Sequence, residues 1–234
     1  MDFDEVVRRR RMVRAFDAAP VPVEALRRAL HRAVRAPSAG FTQGWDFVVL
    51  TSGVDRERFW AAATPDADGA SPDRWLRGVR AAPCLVVVCS DPQAYLERYS
   101  RPDKRERAPG VGARDWPVPY WDVDAGMAAL LLLLSGVDDG LGGLFFGVPG
   151  QRTAHVAASL GVPQGRRLVG VVALGYPALA AGSPAVPQAE VTTSAGRHRP
   201  ARRALADVVH EGRFGTTAQW LDEPLERPSP CAEG

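Results

Sequence analysis

Arginines gather near both ends of the chain: Arg8 to Arg11 with Arg14, and Arg197, Arg199, Arg202 and Arg203. Arg10 and Arg14 stand four apart, so on a helix both guanidinium groups would project from one face. Two such planar forks can grip a phosphate through charge-assisted hydrogen bonds that lysine does not match in geometry. Each cluster taken alone reads equally as a solvated face. Gly140, Gly142 and Gly143 form a glycine-rich stretch that either ends a helix or lets backbone approach a ligand closely. Other chemistries lack their signatures: the chain has no Walker A loop, no GxSxG, no HExxH and no CxxC. His31, His155, His198 and His210 are scattered, so neither a zinc site nor a serine triad is expected. Asp122 and Asp124 flank an aromatic group of Trp116, Tyr120 and Trp121, and Asp124 reads as a helix cap. No side chain stands out as a catalytic acid or base, so the catalytic residues are unknown from sequence.

These residues sit in a chain of 234, with 29 basic and 27 acidic side chains and a net charge of +2. That balance argues against a nucleic-acid or other polyanion partner. An RNA-associated module would also need stacking aromatics beside the basic patch, and none is there. With 46% hydrophobic residues the chain folds rather than remaining disordered. Cys84 and Cys89 lie in an apolar run and Cys231 near the end, which reads as buried thiols in a reducing compartment rather than a redox pair. The N-terminus lacks the apolar core of a signal peptide, and the longest apolar run, Met127 to Leu134, is too short to span a bilayer. The expectation is a soluble, cytoplasmic protein with no membrane partner.

Periodicity supplies the elements. Residues 2 to 14 read as a short basic helix, and Val23 to Val34 as a clearer one entered at Pro22 and stopped before Pro37. Asp46 to Thr51 reads as a strand, Asp55 to Ala63 as a helix, and Ala82 to Cys89 as a strand buried on both faces. Ser100 to Pro119, with four prolines and two glycines, reads as an irregular loop. Asp124 to Val137 reads as a helix without a polar face, which needs a large core or a second subunit to bury it. Thr153 to Leu160, ended by Gly161, and Ala201 to His210 read as helices, with a strand at Leu168 to Gly175 between them. Alternating strands and helices argue for one α/β domain with at least one further strand.

Four segments in order resemble the FMN-dependent nitroreductases. Arg10-Arg-Met-Val-Arg-Ala-Phe16 is similar to that family's opening R-R-S-x-R-x-F. Ala36-Pro-Ser-Ala-Gly-Phe-Thr-Gln-Gly-Trp45 is similar to A-P-S-A-G-N-x-Q-P-W, which also precedes a strand. The leucine-rich helix leading into Asp139-Gly-Leu-Gly-Gly143 resembles the family's long core helix and G-L-G turn. Arg202-Arg-Ala-Leu-Ala-Asp-Val-Val209 resembles its closing R-R-P-L-x-E-V-V. The resemblance implies an α+β sandwich, with a central, mostly antiparallel sheet flanked by helices, in an intertwined homodimer. It implies one FMN-binding domain over 1–214 and a C-terminal tail, 215–234, that wraps the partner subunit.

By the same resemblance Arg10, Arg11 and Arg14 meet the flavin phosphate from one side and Arg203 from the other. Pro37 and Ser38 lie against the flavin ring, Gln43 approaches its polar side, and Leu141, Gly142 and Gly143 bring backbone close to it. Three departures stand out: Met12 for the usual Ser, Phe41 for Asn and Gly44 for Pro. Phe41, Trp116, Tyr120 and Trp121 would then shape the substrate pocket. The implied function is an FMN-dependent oxidoreductase passing a hydride from NAD(P)H through FMN to a small acceptor such as a nitroaromatic or quinone, with no metal. Alternatives are an FMN-dependent dehydrogenase or oxidase of a specialised metabolite, or a flavin-binding protein without turnover.

Overall fold

The computed structural model describes residues 1–64, 74–105, 113, 116–178 and 201–222. The chain divides into two compact units, Met1–Thr193 and Ser194–Gly234. Within the first, four strands form one sheet in the order β1 (Trp45–Leu50), β2 (Cys84–Ser90), β4 (Arg167–Gly175), β3 (Gly142–Phe146). Every pairing is antiparallel. The alternation of strands and helices therefore does not give a parallel α/β sheet, and the fold is the α+β sandwich. β3 is the strand that periodicity left unplaced: two glycines and a five-residue length hide it behind the leucine helix.

β2 is buried along its whole length because it serves two cores. Cys84, Val86 and Val88 face α2 (Val23–Ala33) and α7 (Tyr120–Asp138), packing with Ala29, Ala33, Ala128 and Leu132. Leu85, Val87 and Cys89 face the opposite way, toward Phe59 and Trp60 of α3 (Gly53–Ala63), Val79 of α4 (Arg74–Arg80) and Val156 of α8 (Gly150–Ser159). Cys84 and Cys89 are free, and their places in different cores rule out a bond between them. Cys231 lies outside the described residues.

α7 is long and apolar enough to meet the length and composition of a membrane span, but half of it is buried against the sheet and α2. It starts at Tyr120, one turn earlier than the leucine pattern suggests, and ends in a Schellman motif. Gly140 takes φ +76°, its N–H donates to the Val137 carbonyl, and Leu141 N–H donates to that of Gly136. Gly140 is thus the helix stop, while Gly142 and Gly143 already belong to β3.

The first helix is shorter than its arginines imply. α1 covers only Phe3–Arg9, capped by Asp2 and closed by an ion pair between Arg9 and Glu5. Arg10 and Arg14 are therefore not on one helical face. The backbone beyond Arg10 is taken by the edge of β3, where Val13 N–H donates to the Gly143 carbonyl at 2.9 Å. Ala201 to His210 is not a helix either: a 3₁₀ turn spans Leu205–Asp207 only. A short isolated helix needs a packed face, and here Leu205 and Val208 are exposed. Conversely α4 and α5 (Pro92–Ser100) form where no helix is expected, and Pro102–Arg105 makes a short α6 in the stretch expected to be irregular. Residues 106–112, 114–115 and most of the 215–234 tail lie outside the described set.

Burial pushes both thiols up from 9.0 to about 11, opposed at Cys84 by the Arg56 charge; at Cys89 the Asp46 charge adds to burial and Arg166 opposes. The folded state favours the neutral thiol, so this stabilisation is complete below the unfolded pKa and is lost as pH rises toward 11. Denaturation midpoints should fall between pH 9 and 11, and Cys84→Ala/Cys89→Ala should flatten that fall. In the native protein at pH 8, neither thiol should react with a thiol reagent until denaturant is added.

Candidate functional site

The segment Arg10–Asp17 runs extended along the rim of the sheet. Met12 bridges Gly143 in parallel, Phe16 bridges Pro177, Asp17 N–H donates to the Tyr176 carbonyl, and Ala178 N–H donates to that of Ala15. Two glycines let it seat. A Cβ on Gly142 would lie 2.6 Å from Val13 Cγ2, and one on Gly78 of α4 would lie 2.2 Å from the Arg14 carbonyl oxygen. A Cβ on Gly143 would strike Leu133 at 2.7 Å. The demand for glycine at 142 and 143 thus comes from the chain's own packing, and Leu141, Gly142 and Gly143 are all buried.

The strip's arginines differ in their partners from those of the neighbouring helices. Arg9, Arg28 and Arg32 are paired with Glu5, Asp139 and Asp138. Among the described residues no carboxylate pairs with Arg10, Arg11 or Arg14. Arg14 Nη1 donates to the Met12 carbonyl at 3.2 Å, and Arg11 Nε is buried without a partner. Among the described residues these guanidiniums have no counter-ion and one has an orphaned donor, and guanidinium forks of this kind suit an anion of two charges. Arg203 belongs to the second unit, where Nη2 donates to the Asp207 carbonyl at 2.6 Å.

A second element is the loop between α2 and β1. Pro37 is exposed, Ser38 is partly buried, and Ser38 Oγ accepts from Gln43 N–H at 3.0 Å. Gly40, Phe41 and Gln43 adopt φ of +64°, +55° and +54°. For the two residues with a Cβ this conformation costs about 1–2 kcal/mol each. The ring of Phe41 is 80% exposed.

What offsets that strain comes from α5 and α7. Asp124, 3% exposed, accepts from Ala39 N–H at 2.8 Å and from the Tyr95 hydroxyl at 2.7 Å. Asp124 lies in the second turn of α7, so it does not cap the helix: Pro119 occupies the N-cap without a side-chain bond. The Tyr95 ring packs against Gly44, where an added Cβ would lie 2.4 Å from Cε2, and Arg98 Nε donates to the Gly40 carbonyl at 2.9 Å while its guanidinium pairs with Asp103. Burial raises the Tyr95 phenol well above its ordinary pKa, reinforced by the hydrogen bond and charge of Asp124, so it stays protonated and donating. Asp122 is tied elsewhere, accepting from Ser90 Oγ at 2.6 Å and pairing with Arg167.

The expected aromatic group is real and larger than the sequence shows. Trp116 meets Tyr120 and Trp121 with ring centroids 5.2 and 6.2 Å apart, and also Tyr99 at 4.7 Å and Tyr95 at 6.1 Å. Trp121 Nε1 is buried without a partner. Phe41 makes no ring contact with this group among the described residues, although a Cβ on neighbouring Gly40 would meet Tyr99 at 3.0 Å. Tyr95, Arg98, Tyr99, Asp124 and Gly78 were not legible as site residues. One signal was present for the α5 set: Asp91-Pro92 opens a helix, with Asp91 accepting from Ala94 N–H, and places Tyr95 and Tyr99 one turn apart.

Among described side chains no group of three or more His, Cys, Asp or Glu is placed to hold a metal. Gly78→Ala would drive a methyl into backbone rather than into a yielding side chain. It should cost about 1–3 kcal/mol in denaturant unfolding and should displace the Arg14 segment.

Residues 7–176 match the Nitroreductase family. The chain is 29% identical over 195 residues to a protein of Thermus thermophilus named NADH dehydrogenase, covering 76% of this chain and 88% of that one. Its fold superposes with a TM-score of 0.63 on an oxidoreductase crystallised with FMN, at 24% identity, covering 93% and 95% of the two chains. It also superposes at 0.60 on an Exiguobacterium sibiricum protein solved in complex with FMN, at 22% identity over 80% and 93%. At such identities the structures share the fold. The sheet, the rim-bound arginine strip and the family match agree: this chain belongs to the Nitroreductase family.

Proposed function

We propose that the protein is an FMN-dependent oxidoreductase that passes reducing equivalents from NADH or NADPH to a small organic acceptor such as a nitroaromatic or quinone. The observation that carries this reading is the rim strip, where Arg10, Arg11 and Arg14 stand without carboxylate partners among the described residues. A flavin phosphate supplies the missing charge. Pro37, Ser38 and Gln43 lie on the strained loop and would face the ring, with Leu141, Gly142 and Gly143 backing the strip from β3.

When bound, the flavin supplies two-electron transfer between nicotinamide and acceptor, and the protein's part is to orient and insulate it. The arginines fix the phosphate end. The loop offers backbone and short polar side chains to the ring end. Phe41, exposed where relatives of the family usually carry an amide, would present a flat apolar surface to the acceptor. Trp116, Tyr120 and Trp121 would close the pocket over it.

We also propose a homodimer. Val123, Met127, Leu130 and Leu134 follow a 3.5-residue spacing along α7, and Val123 and Leu130 are 40% and 48% exposed. An apolar helix face of this kind is suited to burial against a second copy. The unpaired thiols support a cytoplasmic setting.

The purified protein should hold about one FMN per chain, and NADH or NADPH should bleach its absorption rapidly. Negligible bleaching by either nicotinamide, with bleaching by an organic donor instead, would favour the oxidase reading. Arg10→Ala and Arg14→Ala should each weaken FMN binding by about ten- to a hundredfold in equilibrium titration, the worth of a charge-assisted hydrogen bond. Unchanged affinity in both variants would contradict the phosphate role.

A further inference from the structure

We propose that Tyr95 and Asp124 form a positioning pair that holds the loop Ser38–Gly44 in its left-handed shape. Through that shape they set how Ser38, Phe41 and Gln43 meet flavin and acceptor. This rests on the flavin reading above.

Neither residue is placed to touch a ligand. Tyr95 is fully buried and Asp124 nearly so. They meet the two ends of one loop: Asp124 takes Ala39 N–H at 2.8 Å and the Tyr95 hydroxyl at 2.7 Å, and the Tyr95 ring packs against Gly44. Between those anchors lie three residues of positive φ, two of them carrying a Cβ. A chain free to relax would leave that conformation, so the anchors are what keep it populated.

The pair also accounts for one departure from the family pattern. A Cβ on Gly44 would lie 2.4 Å from Tyr95 Cε2, so a proline cannot stand there beside this tyrosine. This chain braces the loop with a buried phenol and carboxylate. A buried carboxylate is costly unless fully hydrogen-bonded, and an apolar pair would fill the same volume more cheaply. Its bond to a loop amide therefore marks a directional role. Because Asp124 stands on α7, the loop is referenced to the central helix rather than to a surface turn.

Tyr95→Phe deletes the hydroxyl and keeps the ring against Gly44, and Asp124→Asn keeps the volume. Amide hydrogen exchange on the protein as purified should show Ala39 exchanging at least about tenfold faster in either variant, with β2 and β4 unchanged. At saturating FMN each variant should still bind one flavin per chain. Its FMN Kd should rise about tenfold, its visible flavin circular dichroism should change, and acceptor KM should rise more than kcat falls. The double variant should be no worse than the poorer single one, since the two act as a unit. Wild-type exchange in the loop would overturn the proposal. So would faster exchange with unaltered flavin dichroism, Kd and KM, which would leave the pair a packing feature. A wild-type protein that takes up no FMN would overturn the flavin reading and the flavin half of this inference, while the exchange rates would still decide whether the pair holds the loop.

Discussion

The burial of α7 is the constraint from which the rest of the structure follows. Apart from the carboxylates at its two ends it offers almost no polar side chain, and Ala125, Ala128, Ala129, Leu132 and Leu133 press onto the sheet and α2. Burying a Leu or Val side chain contributes about 1.5–3 kcal/mol, so the helix is fixed by several such contacts at once. Each end then positions something else. At the N-terminal end, Asp124 leaves the helix to hold a loop. At the C-terminal end, Gly140 turns the chain directly into β3.

β3 converts that placement into chemistry. As an edge strand it presents open backbone groups, and an uncovered edge invites pairing with another chain. The segment after Arg10 fills it, seated by Val13 in the space left at Gly142. The same docking that protects the edge carries Arg10, Arg11 and Arg14 along the rim on an extended backbone, with no helix.

The sequence made the core legible because its period is strong. β1, β2, β4, α2, α3, α7 and α8 all appear close to where apolar spacing puts them. β3 escaped because glycines carry no hydropathy pattern. α1 was overextended because arginine has good helix propensity and nothing local reveals that an edge strand will claim Val13. Arg10 and Arg14 suggested an anion site by residue type, and the motif resemblance supplied what they would hold. Asp124 was misread as a cap: its Tyr95 and Ala39 partners are 29 and 85 residues away, and spacing carries no information about such pairs. Gly78 is unreadable for the same reason, being required by a backbone 64 residues earlier.

The central claim is that the rim arginines hold a phosphate. It is tested most directly by comparing FMN with riboflavin, which differ only in that group, in equilibrium titrations of the flavin-stripped protein. The account predicts that FMN binds at least about a hundredfold more tightly, with most of that gap lost in the Arg10→Ala/Arg14→Ala variant. Equal affinity for the two flavins, or a gap indifferent to both arginines, would contradict it.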